Sequence, residues 1–172
     1  MIEESSNSDF SIRDICHRVG VTHTAAYRHF TRKEEIFQTL GNQGFSKLSE
    51  VLRAARIENS ENALQALKKQ SEAYLKFVTE NPGYYRCMFK ASTKESSREP
   101  FQEMAQVIQI LISEGHFKKR PLAYAVTTLL AGLHGLAQLI LENYLNDLVK
   151  SNQGLTKFSK LMIENMISGL EA

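Results

Sequence analysis

The sequence predicts an all-α fold. Two observations carry that expectation. Apolar residues recur at spacings of three and four almost throughout the 172-residue chain, and no strand-like alternation persists beyond a few positions. Composition agrees: three Pro, nine Gly and no Trp leave long stretches open to helix, and 42% apolar residues can support a core. No internal repeat or low-complexity segment is present.

The first element is Ser11 to Phe30, SIRDICHRVGVTHTAAYRHF. It reads as two short helices around a tight turn, an arrangement that places a helix in the DNA major groove. Ser11 suits an N-cap, and Asp14 favours the positive end of the helix dipole. Ile12, Ile15, Cys16 and Val19 form one apolar stripe. Gly20 follows, able to take the left-handed conformation that ends a helix. Val21 fills the angle between the helices, Thr22 caps the second, and Ala25, Ala26 and Phe30 supply its packing side. The second helix carries Thr22, His23, Thr24, Tyr27, Arg28 and His29, all donors and none acidic. Seven or eight helical residues span about 10–12 Å, and the major groove is about 12 Å wide. Side chains near that N-terminus therefore reach base edges, while Tyr27, His29 and the later Lys33 are placed for phosphates. Lys33 opens the next helix after Thr31, where neighbouring N–H groups can also face a phosphate. The candidate DNA-contacting set is Ser11, Thr22, His23, Thr24, Tyr27, Arg28, His29 and Lys33. By periodicity alone, a structural hairpin with a glycine turn fits as well.

Downstream, a connecting helix runs from Lys33 through Ile36, Phe37, Leu40, Phe45, Leu48, Val51 and Leu52, with a bend or break expected at Gly41 and Gly44. Glu58 to Asn62 is polar and predicts a loop. A long helix follows over Ala63 to Glu80, with Leu64, Leu67, Tyr74, Leu75, Phe77 and Val78 inward. Asn81-Pro82-Gly83 ends it, because Pro disfavours helix in the residue before it. A short helix carries Tyr84, Tyr85, Met88 and Phe89, and residues 91–99 read as a polar loop. Phe101, Met104, Ala105, Ile108, Leu111 and Ile112 trace another amphipathic helix, stopped by Gly115. Lys118-Lys119-Arg120 is a solvated basic loop, and Pro121 suits the first position of the next helix. The last helix spans about Leu155 to Ile167, with Phe158, Leu161, Met162, Asn165 and Met166 along one side.

Leu122 to Leu141 contains no Asp, Glu, Lys or Arg and is long enough to cross a bilayer. Its Thr127, Thr128, His134 and Gln138 are costly in lipid, which favours a helix buried at a subunit interface and no membrane. Net charge is +2, and residues 1–45 hold five Lys/Arg against six Asp/Glu, an unusual balance for a DNA reader. His17, His23 and His29 can add charge near a polyanion. Cys16 and Cys87 lack metal spacing, which suits structural thiols in a reduced, cytoplasmic protein. No signal peptide is visible. No Ser/His/Asp set, phosphate loop or His-Glu-x-x-His motif is present, so the expectation is a non-enzyme without cofactor or metal.

GVTHTAAYRHF followed by TRKEEIF closely resembles the helix-turn-helix signature of the TetR family of transcriptional regulators. Gly20, Val21, Tyr27, His29, Phe30, Lys33 and Glu34 match it; Thr22 replaces the usual Ser, and Phe37 stands where Leu is common. The phrases ENPGYYRCMF (Glu80 to Phe89) and AGLHGLAQLI (Ala131 to Ile140) resemble, more loosely, a regulatory domain known by a Trp-His-Gly signature. Here Leu133 replaces Trp, and His134 and Gly135 are kept.

The resemblance implies a DNA-binding unit over 1–40 and a helical regulatory and dimerisation domain over 41–172. It implies a repressor that binds palindromic operator DNA as a homodimer through its last two long helices and responds to a small apolar effector. Ala131, Gly132 and Gly135 suit close helix contact in such a dimer. Tyr74, Phe77, Tyr85, Met88, Met104, Ile108 and His134 are the candidate effector-site residues, since aromatic and Met side chains with one polar group fit an apolar ligand. The same stripe at helical spacing also fits ordinary core. Met1-Ile2-Glu3-Glu4 resembles only the last turn of the family's first helix. A competing expectation follows: a truncated ligand-binding or inhibitory dimer partner without DNA-binding activity.

Overall fold

The computed structural model describes residues 33–91 and 95–172, together with His17, Gly20, Thr22, Thr24, Arg28, Phe30 and Arg32. Six long helices run through them: α1 Lys33–Glu58, α2 Ala63–Glu80, α3 Pro82–Ala91, α4 Arg98–Ser113, α5 Leu122–Leu141 and α6 Asn152–Ser168. No strand occurs among the described residues; Phe117 and Glu171 form an isolated antiparallel bridge. The all-α expectation holds.

The helix boundaries have local causes. α1 continues through Gly41 and Gly44 without a break, contrary to expectation. A Cβ on Gly44 would stand 2.7 Å from Met88 Cγ and 3.3 Å from Tyr84 Cβ. Gly44 is there for close approach of α3, and helix is kept because packing outweighs its propensity cost of about 1 kcal/mol. Asn62 caps α2: the Gln65 N–H donates to its Oδ1 at 2.9 Å. Asn81 alone separates α2 from α3, and Pro82 is the first residue of α3, where its missing N–H costs nothing. The predicted breaker thus also starts the next helix. Ser96 to Ser97 is a turn and α4 opens at Arg98, inside the predicted polar loop. Gly115, at φ +78°, closes the turn after α4, and the Phe117 N–H returns to the Leu111 carbonyl at 3.1 Å. Pro121 occupies the N-cap of α5 rather than its first helical position. α6 starts at Asn152, before the apolar periodicity does, because Ser151 caps it by accepting the Gly154 N–H at 3.0 Å.

The chain forms two compact units, one of residues 1–46 with 81–97, the other of 47–80 with 98–172. In the first, Phe45, Tyr85 and Phe89 meet edge to face, with Phe89 centred 5.6 Å from Phe45 and 5.3 Å from Tyr85. Such pairs add about 0.5–1.5 kcal/mol beyond area burial. Phe89 nevertheless keeps one side exposed.

In the second unit α2 packs against α4, α5 and α6. Its buried face, Ala66, Leu67, Gln70, Ser71, Tyr74, Leu75, Phe77 and Val78, recurs at helical spacing. Leu52, Met104, Ile108, Leu111, Leu129, Leu133 and Ile167 complete the core. Four residues of the expected inward faces differ. Val51, Phe101 and Asn165 are exposed, and Leu161 is 50% exposed, while the core takes Ile163 and Ile167 from α6 instead. The residue pair four apart that faces α2 and α5 decides the buried side of α6, not the bulkiest stripe.

Candidate nucleic-acid interface and regulatory unit

The described residues of the N-terminal element keep the order of its sequence pattern. His17 is helical, Gly20 forms a turn at φ +71°, Thr22 is outside helix, and Thr24 is helical again. Only Gly takes that φ at low steric cost, so the turn is encoded at position 20. Thr22, Thr24 and Arg28 are solvent-exposed, while Phe30 is half-buried. Ser11, His23, Tyr27 and His29 lie outside the described residues, as does Cys16. Lys33 is the first residue of α1, its ammonium 5.6 Å from the centre of the Phe37 ring. Glu34 and Glu35 occupy the same first turn, and Arg32 lies 3.8 Å from Glu35. These carboxylates already complement the helix dipole there.

The second unit contains a polar network that periodicity did not reveal. Glu103 on α4 is only 5% exposed. Its carboxylate accepts from Arg53 Nε at 2.7 Å and from Arg56 Nε at 3.1 Å, both on α1. The hydrogen bond to Glu103 is the main reason the Arg53 guanidinium is held still more firmly protonated. Gln70, fully buried on α2, donates to the carbonyls of Leu52 and Glu103 at 3.2 and 3.1 Å. One node therefore ties α1, α2 and α4. No local pattern signals it, since its hydrogen-bonded pairs are 18 to 50 residues apart.

α5 is the second notable element. It is the one helix among the described residues long and apolar enough to cross a bilayer, yet only 33% of its most apolar window is buried. Ala125, Leu129, Leu130, Leu133, Leu136 and Ala137 face the core. Tyr124, Thr127, Thr128, Ala131, Gly135 and Gln138 form an exposed stripe at spacings of three and four, with Tyr124 50% exposed. Gly132 and Gly135 serve different ends. A Cβ on Gly132 would meet Met166 Sδ at 2.6 Å, so that glycine seats α6 of the same chain. Gly135 has nothing within 4 Å of a Cβ and faces open space. On α6, Lys157, Leu161, Glu164, Asn165 and Ser168 are likewise exposed. His134 is half-buried, and burial lowers its pKa below the usual 6.5.

Residues 67–161 match the tetracyclin repressor-like C-terminal domain, and residues 3–40 match the N-terminal domain of bacterial regulatory proteins of the tetR family.

The chain belongs to the TetR family.

One relative is YobS of Bacillus subtilis, an uncharacterized HTH-type transcriptional regulator. It is 24% identical over 161 residues, covering 93% of this chain and 81% of YobS. Among solved structures, the TetR-family regulator PfmR of Thermus thermophilus matches with a TM-score of 0.74 at 18% identity, over 95% of this chain and 90% of that one. A protein of unknown function from Rhodococcus sp. RHA1 reaches 0.81 at 18% identity, over 99% and 90%. At such identities these structures establish the fold. This TetR-family chain is a transcriptional regulator, from a family of DNA-binding regulators that bind operator DNA as dimers and not of enzymes.

Within the TetR fold, the residues expected to line an effector site are mostly core. Tyr74, Phe77, Met104 and Ile108 are buried in the second unit, and Tyr85 and Met88 are buried in the first. Two open grooves of the second unit are lined by none of the seven. Cys87 is buried and forms no disulfide. Among the described residues no group of three or more His, Cys, Asp or Glu is placed to hold a metal ion.

Proposed function

We propose that this TetR-family regulator is a ligand-responsive repressor that binds palindromic operator DNA as a homodimer. The observation that carries the reading is the left-handed turn at Gly20, between helical His17 and helical Thr24, inside the segment that matches the family's DNA-binding domain. Residues 1–40 are the DNA-reading part and 41–172 the regulatory and dimerising part. Thr22, Thr24 and Arg28 are exposed where a recognition helix offers donors to base edges, together with His23. Ser11, Tyr27, His29 and Lys33 position the unit on phosphates. The exposed stripes of α5 and α6 form the subunit interface, which places two recognition helices for major grooves about 34 Å apart. A regulator of cytoplasmic DNA operates in the cytoplasm.

A small apolar effector shifts the dimer away from the DNA-competent conformation. It does so to the extent that it binds the two conformations with different affinity. In-vitro selection from random-sequence DNA with the full-length dimer at moderate salt tests the reading. Enrichment of an inverted repeat, with half-sites about one helical turn apart or a multiple of it, is expected. Enrichment of no sequence over the starting pool refutes it.

A further inference from the structure

The regulatory unit has a concavity away from its packed core. A groove of about 470 Å³ is lined by α2, the end of α5 and the first half of α6. Small-molecule sites occupy about 300–1,000 Å³. Leu75 and Ile163 are its most buried lining residues, and Ile140 and Leu155 extend the apolar surface. Lys76 from α2 and Lys160 from α6 line it, as do Thr79, Thr156 and Ser159; the Thr79 hydroxyl donates to the Leu75 and Lys76 carbonyls. The lining has one acid, Glu72, and Lys69 holds it at 2.7 Å. Lys76 has Glu80 at 3.9 Å, an exposed contact that a stronger anion can displace. No acid lies within salt-bridge distance of Lys160 among the described residues.

We infer that this groove binds a small amphipathic anion, a medium-length apolar tail ending in a carboxylate. The tail covers the apolar lining, and the carboxylate takes the cationic rim. A cationic head of the same size would meet two lysines and an acid already neutralised. This inference deepens the effector part of the proposed function and rests on that reading only for its consequence at DNA.

Isothermal titration of the full-length protein with decanoate tests it, with decyltrimethylammonium as the probe of opposite charge. Saturable binding of one decanoate per chain is expected, with the cationic probe weaker by about tenfold or more. The double variant Lys76→Glu/Lys160→Glu alters two exposed side chains, so fold and unfolding midpoint are expected to stay as in the parent. Its decanoate affinity falls by about tenfold or more. Ser159→Phe fills the groove and removes decanoate binding independently of charge. Equal affinity for both probes marks mere surfactant adsorption and overturns the proposal, as does decanoate binding unchanged in both variants. Loss of dimer mass in sedimentation of either variant marks the groove as a contact with a second copy, and also overturns it. Operator affinity of the ligand-free parent is read separately. Its absence defeats the repressor reading while leaving decanoate binding in place, whereas intact operator binding without decanoate binding defeats only this inference.

Discussion

α2 and α5 invert the usual relation between composition and burial. α2 carries lysines, glutamates and two glutamines, yet buries eight residues in a continuous face against three other helices. α5 carries no charge at all, yet leaves a stripe from Tyr124 to Gln138 in water. The difference teaches what each helix is built to meet. α2 has as much apolar surface as its own chain can cover. α5 has more, and the excess sits on the side away from Leu129, Leu133 and Leu136. Apolar surface left in excess and in one stripe marks a partner surface more often than a monomer's face. The exposed side is built mainly of Ala, Gly, Thr, Tyr and Gln, with Leu139 near its end, which suits close approach of another helix rather than contact with lipid.

Substitutions at four positions sharpen that comparison. The largest effect is expected on α2. Leu67→Ala removes a fully buried side chain and should lower stability by about 2–5 kcal/mol in urea unfolding at fixed protein concentration. A loss below about 1 kcal/mol would mean that α2 is not the centre of the core. Next is Glu103→Ala, which frees Arg53 and Arg56 from α4. Because both guanidinium groups reach solvent, the cost should be about 1–3 kcal/mol, less than for a wholly buried pair, and Glu103→Gln should recover part of it.

His134 gives a smaller, pH-dependent effect. Its folded pKa lies below its unfolded value because burial disfavours the charged ring. The unfolded chain therefore binds more protons between the two pKa values, and stability falls as pH drops through about 6.5 and below. His134→Gln should flatten that slope, by no more than the one-proton limit of about 1.4 kcal/mol per pH unit. Parallel pH profiles for parent and variant would assign the acid sensitivity elsewhere. The smallest stability effect is Lys33→Ala. It should leave the fold intact, weaken all DNA sequences alike, and lower the salt dependence of binding by about one counterion.

The sequence made the helices legible because their causes are local. Gly20 and Gly115 show the left-handed conformations that their positions after apolar stripes imply. α2 spans Ala63–Glu80, as its periodicity predicts. The misses arise where tertiary contact decides. Gly44 reads as a helix breaker until Met88 and Tyr84 are seen against it. Gly132 and Gly135 look alike in sequence, and only Met166 distinguishes them. Ile163 and Ile167 are less conspicuous than Phe158 and Leu161, yet the core takes them because α2 and α5 fix which side of α6 is covered. The Glu103 node and the groove at Lys76 and Lys160 both join distant segments, so no spacing announces them. The motif that carries the DNA reading was legible for the opposite reason. Its glycine, cap and donors lie within twenty residues, from Ser11 to Phe30.

The central claim is that the uncharged helix α5 is one side of a subunit interface in a DNA-reading dimer. Ala131→Glu/Gly135→Glu places two carboxylates on its exposed stripe without touching the core. Sedimentation equilibrium should give the parent twice the chain mass of 19.5 kDa and the variant a single chain mass, with helix content retained. A parent that sediments as a monomer, or a variant that stays dimeric, would contradict the claim.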